Sequence, residues 1–598
     1  MFINSKWLTQ ILGLLFFGTL FALAWVFFKE RMLTFDPAYF SFRIIQEHKY
    51  DIELGRWGSV VSQIIPLWLY EHGCSLKAFL QAYSVSFIII YYIIFLAITL
   101  LLKNERIGIA MMISLCLTFR HSFYYSTAEL YQAIAISMLI WALLVKLNDE
   151  VSKTIKYVCF GVALILVYVT SYYHQLSLFA LLFIGLFEIL NKKRYKDFWL
   201  IGFVLFTLAW YYIRIKVLTT TTYESGKIPT FDVFREQLPR LLSLPSFHYL
   251  KHFANRNLWE FVAVMALCSY FIVRQKKWLL GLFVFNFIGG FIILDCITYY
   301  KGESPIMYEN YLTLLGLFAA VTLCGIYEKI ISNTWTIVLT TITLAWNLNI
   351  IYGCREPFSQ HIAYLQRLTN EAHKHNDKKY LIAQVNFPWG YAWSDWALPF
   401  ETLLYSSIQG PDSSISVMCA ENISQYDSLV NMENVFLGPR WAVTWFWSNS
   451  LNQNYFRIPP TPYKKLATSQ ADSIFNEAIF TKDNIKIIPQ SEVFVASKSV
   501  NIVVPITIIN KSGQLLRSIP DTSSNSVKLS FHICSPNGKR LGWGGNRNTL
   551  EYDIADTVQY DLVLNQALKR GEYLVDIDFV TENKRWWEIN SRFKLVVE

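Results

Sequence analysis

Apolar runs alternate with short charged connections over the first 352 residues, and then the pattern changes. A helix needs about 20 mostly apolar residues to cross a bilayer. Runs of that kind occupy 8–28, 78–102, 107–119, 129–147, 156–171, 175–190, 197–213, 257–273, 278–298, 308–326 and 334–352. They predict about eleven spans, the third of them short. One set of connections reads KNER, KLNDEVSKTIK, NKKRYKD and RQKK; the alternate set, near 120–128, 171–175 and 299–307, carries only Arg120 and Lys301. Basic loops stay on the cytoplasmic side. The pattern therefore predicts a cytoplasmic amino terminus, with loops 29–77 and 214–256 and the carboxyl tail on the opposite side.

Beyond residue 352 the periodicity shortens. SQHIAYLQRLTNEAHKH carries apolar positions at helical spacing, and KKYLIAQV reads as a strand. RIPPTPYKK marks a break. From about 490 short alternating runs follow: SVNIVVPITII, SVKLSFHIC, QYDLVL, EYLVDIDFV and RFKLVVE, separated by turns such as SPNGKR. That is the pattern of a small immunoglobulin-like β-sandwich. Three regions are expected: a multi-spanning helical domain over 1–352, an α/β domain over 353–488 and a β-sandwich over 489–598.

Composition fits this division. Of 598 residues, 54% are hydrophobic and 16% are charged, well below the ~25% usual in soluble domains. Aromatics reach 17%, as expected where Trp and Tyr gather at bilayer interfaces. The net charge of +9 comes from Lys and Arg set between apolar spans, not from one basic face, which argues against nucleic acid as a partner. Nine cysteines lack metal-site spacing or the regular pairing of a disulfide framework. The first span is long for a signal-peptide core and lacks a small-residue cleavage site, so it reads as a retained anchor.

Candidate chemistry concentrates just after that anchor, in TFDPAYFSFRIIQEHKYDIELGRWGS. Asp36 stands at the mouth of the first helix, where Asp-Pro also commonly begins a turn or a helix. The segment DPAYFSFRII is amphipathic and suited to lie in the interface plane, holding Asp36 at fixed depth. GRWGS then brings Arg56 and Trp57 back toward the membrane. A carboxylate there can deprotonate a hydroxyl or bind a divalent cation, and a guanidinium can grip a phosphate.

A first helix, a loop opening Asp-x-Ala-Tyr, an amphipathic helix and a basic-aromatic return resemble the GT-C superfamily. These integral-membrane glycosyltransferases use polyprenyl-phosphate sugars. The likeness is to the branch of protein O-mannosyltransferases and aminoarabinose-type transferases. The resemblance covers about residues 1–326. FRHSFYYSTAELYQAIAISMLIWALL is similar to the family's second outer loop and following helix, and Glu129 takes the place of an acid facing the first loop's Asp. Arg120 and His121 lie beside it. His174, in TSYYHQLSLFALL, falls where a polar residue follows an outer turn. In ESPIMYENYLTLLGLFAA the family's Arg before the tyrosine is missing: Glu309 and Asn310 precede Tyr311. Pro37 replaces the family's adjacent acid.

The resemblance implies an inverting transferase with Asp36 as base or acceptor-orienting group and Glu129 assisting. Tyr39, Arg56, Arg120, His121, His174, Lys301 and Tyr311 would contact substrate or phosphate. Asp36 and Glu129 are also the candidate ligands for a divalent metal. The donor would be a polyprenyl-phosphate sugar, the acceptor a glycan, lipid or protein. A bacterial inner membrane with a periplasmic tail is the expected setting, the endoplasmic reticulum the alternative. An oligosaccharyltransferase or glycan polymerase, and a non-enzymatic lipid-glycan transporter, are the competing readings. The tail's aromatic NFPWGYAWSDWALPFETLLYSS suits either core packing or stacking on sugars.

Overall fold

The structure is a computed structural model of the full chain. It describes residues 5–598 except 150–151, 217, 219–230, 301–304, 328–333, 376, 384–386, 388–394, 421–432, 439–445, 467–479, 498–501, 513–515, 517–526, 542–546, 551–553, 555–556, 565, 567, 582–584 and 590.

The apolar runs fold as helices with bounds close to those read from sequence. Eight described helices are long and apolar enough to cross a membrane: Trp7–Val26, Leu76–Leu101, Glu129–Lys146, Lys153–Ser171, Phe198–Lys216, Trp278–Thr298, Glu309–Ile326 and Ile337–His373. The protein is an integral membrane protein. The other three expected spans are shorter helices of 14, 15 and 16 residues, Glu105–Thr118, Ser177–Asn191 and Trp259–Arg274. At 1.5 Å per residue, 14 residues extend only about 21 Å, short of the ~30 Å hydrocarbon core.

Helix Glu105–Thr118 is buried along almost its whole length and packs on the equally buried Glu309–Ile326. Small residues permit the approach. A Cβ on Gly316 would lie 2.6 Å from the carbonyl oxygen of Ser114 and 2.5 Å from the Thr118 methyl. Lipid-facing sides elsewhere keep exposed apolar residues such as Leu15, Ile165, Leu205 and Leu282. At one end of the bundle, side chains tie helix ends together. Asn191 donates to the Gly325 carbonyl at 2.9 Å and accepts from Lys277 Nζ at 2.7 Å.

The other end carries the tail. Helix Glu356–His373 leads into a three-stranded parallel sheet in the order Ser416–Ala420, Lys379–Ala383, Lys464–Lys465, covered by helix Leu398–Ser407. This α/β region shares one hydrophobic core with the bundle, from Leu12 through Leu466. The strand-rich region from Ile485 has its own core. One of its sheets is Ile485–Pro489, Ile502–Asn510 and Thr557–Leu564; the facing sheet is built on Val527–Cys534, Gly571–Thr581 and Ser591–Val597. Strict alternation of buried positions along Ile502–Asn510 faces one side of that strand to the core. Among the described residues no disulfide is formed.

Candidate functional site

Helix Phe35–Glu47 carries Asp36 in its first turn. Its apolar face is not left to lipid, as the amphipathic pattern suggested. Phe42 is fully buried with its ring 4.9 Å from Phe400 and 5.7 Å from Phe456, both in the tail. An amphipathic pattern requires a cover for the apolar face without specifying which; here protein supplies it.

Asp36 Oδ2 accepts a hydrogen bond from the Tyr125 hydroxyl, which comes from the loop between Glu105–Thr118 and Glu129–Lys146. Burial, and then the negative charge of Asp36, hold the Tyr125 phenol well above its ordinary pKa. It therefore remains a donor. Glu129 opens the next helix, and its Oε2 sits 2.9 Å from Arg56 Nη1. Both side chains are largely withdrawn from solvent, 12% and 17% exposed. The charge of Asp36 also acts on Glu129, and both acids act on Tyr125. The two acids, 93 positions apart in sequence, thus meet at one end of the bundle.

The return loop fixes Arg56. Gln63 clamps the backbone of Asp51, accepting from its N–H and donating to its carbonyl, each at 2.8 Å. Gly58 N–H donates to the Tyr172 carbonyl at 3.2 Å. Only glycine fits there: a Cβ would stand 2.4 Å from the Tyr173 ring. His174 follows that turn, and its Nδ1 accepts from Leu176 N–H at 3.1 Å. In the neutral ring this puts the hydrogen on Nε2. The His174 ring centroid lies 6.1 Å from that of Tyr311, which stacks at 4.8 Å on Tyr299. Tyr311 in turn acts electrostatically on Tyr125. Asp36, Arg56, Tyr125, Glu129, His174 and Tyr311 therefore form one connected group.

The remaining candidates lie in other networks. Arg120 is buried, 3.0 Å from Glu260 Oε1, and donates to Asn347 Oδ1 at 2.7 Å. His121 Nδ1 meets Glu309 Oε2 at 3.1 Å, while the Ser122 N–H and hydroxyl both donate to Glu309 Oε1 at 2.7 Å. Glu309 thus ties the second loop to the helix that carries it. Tyr39 accepts from Arg43 at 3.2 Å, and its ring packs on Phe400 and Trp396 of the tail. Lys301 lies outside the described residues.

As a metal site the two acids fit poorly. Divalent cations of the oxygen-binding class take several oxygen ligands. Glu129 already faces a guanidinium, which repels a cation. Among the described residues no group of three or more His, Cys, Asp or Glu stands ready to hold an ion.

Sequence reading missed four contributors. Tyr125 stands four positions before Glu129, but a tyrosine in an aromatic loop carries no mark of its partner. Arg31 is 1% exposed; its Nε donates to Ser84 Oγ at 2.9 Å, and it also bonds the Phe123 carbonyl. Burial brings its pKa down to about 10. Glu401 and His361 reach the Asp36 helix from the tail. No protein-family model matches the chain, and no curated protein matches it.

Proposed function

We propose that this protein is a membrane glycosyltransferase that moves a sugar from a polyprenyl-phosphate donor to a hydroxyl of a glycan, lipid or protein, with inversion. The fold would be GT-C-like. With the three shorter helices counted, the chain crosses the membrane eleven times, and the basic connections put the amino terminus in the cytoplasm. The Asp36 end and the tail then face the periplasm of a bacterial inner membrane.

The observation that carries this reading is the meeting of Asp36, Tyr125 and the Arg56–Glu129 pair at the tail-bearing end of an apolar bundle. Ionisable groups at a span boundary are costly and are kept where they serve a pathway or a reaction. In the reaction, Asp36 takes the proton from the acceptor hydroxyl as its oxygen attacks the anomeric carbon. The carbon–oxygen bond to phosphate breaks, and the electron pair leaves with the polyprenyl phosphate. Negative charge grows on that phosphate, which Arg56 and His174, members of the same connected group, would stabilise. Glu129 holds the guanidinium in place, and Tyr125 holds the base. Tyr299 and Tyr311 offer a stacked aromatic wall for a sugar ring. Arg120, engaged with Glu260 and Asn347, takes no part, and no metal step is invoked.

The test is transfer by the full chain in lipid nanodiscs, supplied with a panel of radiolabelled polyprenyl-phosphate hexoses and pentoses. Asp36→Asn is expected to lower kcat by roughly 100-fold or more, the scale of a lost general base. Undiminished transfer by Asp36→Asn removes Asp36 as the base, and no transfer by the wild type from any donor overturns the transferase reading.

A further inference from the structure

The helix that carries Asp36 begins in an unusual way. Phe35 has φ 45°, a left-handed conformation that side chains with a Cβ rarely adopt. Thr34 at the N-cap provides no side-chain cap; its hydroxyl turns back to the Glu30 carbonyl at 3.4 Å. The missing acceptor comes from 366 residues away: Glu401 Oε1 accepts from the Phe35 N–H at 2.8 Å.

The second oxygen of Glu401 faces His361 Nε2 at 3.0 Å. Both residues are out of contact with water, at 0% and 1% exposure. When the Nε2–H of His361 is the donor, its buried Nδ1 has no hydrogen-bond partner among the described residues. The Phe35 ring neighbours both His361, at 6.5 Å between centroids, and Tyr125, at 6.3 Å. Tyr125 is the residue that donates to Asp36. The other end of the helix is fastened from the same region. Asn452 Nδ2 donates to the Ile45 carbonyl at 2.9 Å, and Gln46 Nε2 donates to the Ser450 carbonyl at 2.7 Å. The tail therefore holds this helix at both ends.

A buried carboxylate is expensive unless its oxygens are used. Here one oxygen secures a strained backbone position, and the other secures the carboxylate. We propose that Glu401, oriented by His361, is a positioning residue: it locks Phe35 in its left-handed conformation and so aims the Asp36 carboxylate at Tyr125 and the reacting atoms. This rests on Asp36 being the reactive acid.

The test uses the full chain in nanodiscs with the radiolabelled donor panel, together with hydrogen exchange of the 35–45 amides. Glu401→Ala is expected to lower kcat 10- to 100-fold, leave the donor KM within about twofold, and speed exchange at 35–38 (Pro37 has no amide hydrogen) at least tenfold. Protection within the spans stays unchanged. Glu401→Gln keeps an oxygen for Phe35 and is expected to recover kcat to within about fivefold of wild type. If Glu401→Ala does not fold, Glu401→Asp, one methylene short of Phe35, is read in its place and should show the same kcat loss. Wild-type kcat in the variant read, Gln no better than that variant, a changed KM at constant kcat, or unchanged exchange at 35–38 each overturns the proposal. Undiminished transfer by Asp36→Asn removes Asp36 as the reactive acid instead, and the exchange measurement then still decides whether Glu401 sets the conformation of Phe35.

Discussion

The Arg56–Glu129 pair gives the sharpest physical test of the cluster. Two unit charges about 4 Å apart attract by about 4 kcal/mol at an effective dielectric near 20. With nitrogen and oxygen at 2.9 Å and both side chains mostly buried, this pair belongs to that regime rather than to the weak surface class. Removing one partner from such a pair costs about 3–5 kcal/mol, because the other is left charged and dry. The two deletions are not equivalent here. Arg56→Met leaves Glu129 and Asp36, whose charges already act on one another, without the guanidinium. Glu129→Gln leaves the cluster with one acid, Asp36, and one base, Arg56, a neutral combination. Arg56→Met should therefore destabilise more than Glu129→Gln, and the double variant should cost less than the sum by about 2–4 kcal/mol. SDS titration in mixed micelles, followed by tryptophan emission, measures all three. Additive effects within about 0.5 kcal/mol, or a larger cost for Glu129→Gln, would show that the pair is not the buried contact described.

Tyr125→Phe removes the hydroxyl that donates to Asp36 and is expected to lower kcat/KM about 10- to 100-fold, equivalent to about 1.5–3 kcal/mol for a hydrogen bond to a charged group. Since that phenol titrates well above its ordinary value, the wild-type rate should show no alkaline fall from Tyr125 ionisation up to about pH 10; a tyrosinate absorbance change that Tyr125→Phe abolishes below that pH would contradict this. Asp51 has its carboxyl pushed up to about 7 by burial, partly offset by Arg43. The folded chain therefore binds a proton that the unfolded chain has released between about pH 4 and 7, and stability falls by about 4 kcal/mol as pH rises through that window. Asp51→Asn should flatten that limb in pH-dependent unfolding, and an unchanged profile would rule out the assignment.

The helices were legible because lipid and buried bundle impose the same demand, a long run of apolar side chains. Trp278–Thr298 begins and ends where the apolar run does. The strands of the sandwich were legible for a related reason: alternation along Ile502–Asn510 is visible residue by residue. The neighbours of Asp36 were only half legible. Glu129 and Arg56 carry charge, and charge beside an apolar run is conspicuous. Tyr125 and Glu401 sit in aromatic-rich stretches where nothing local distinguishes a catalytic neighbour from a core residue. Arg120 and His121 illustrate the converse. Both look ready for a phosphate in sequence, yet Glu260 and Glu309, far along the chain, meet them.

The two parts of the tail stand in different physical relation to the site. The sandwich closes its own core, so its folding does not draw on the bundle. The α/β region does the reverse. Phe400 and Phe456 complete the burial of Phe42, Glu401 caps Phe35, and Asn452 caps the far end of the same helix. A 13-residue helix is marginal on its own, since nucleation is costly and few hydrogen bonds repay it. The Asp36 helix therefore owes its stability and its left-handed first residue to contacts made more than 300 positions later. Its geometry is a property of the assembled bundle and α/β region, which is why the opening loop, read alone, shows the chemistry but not the aim.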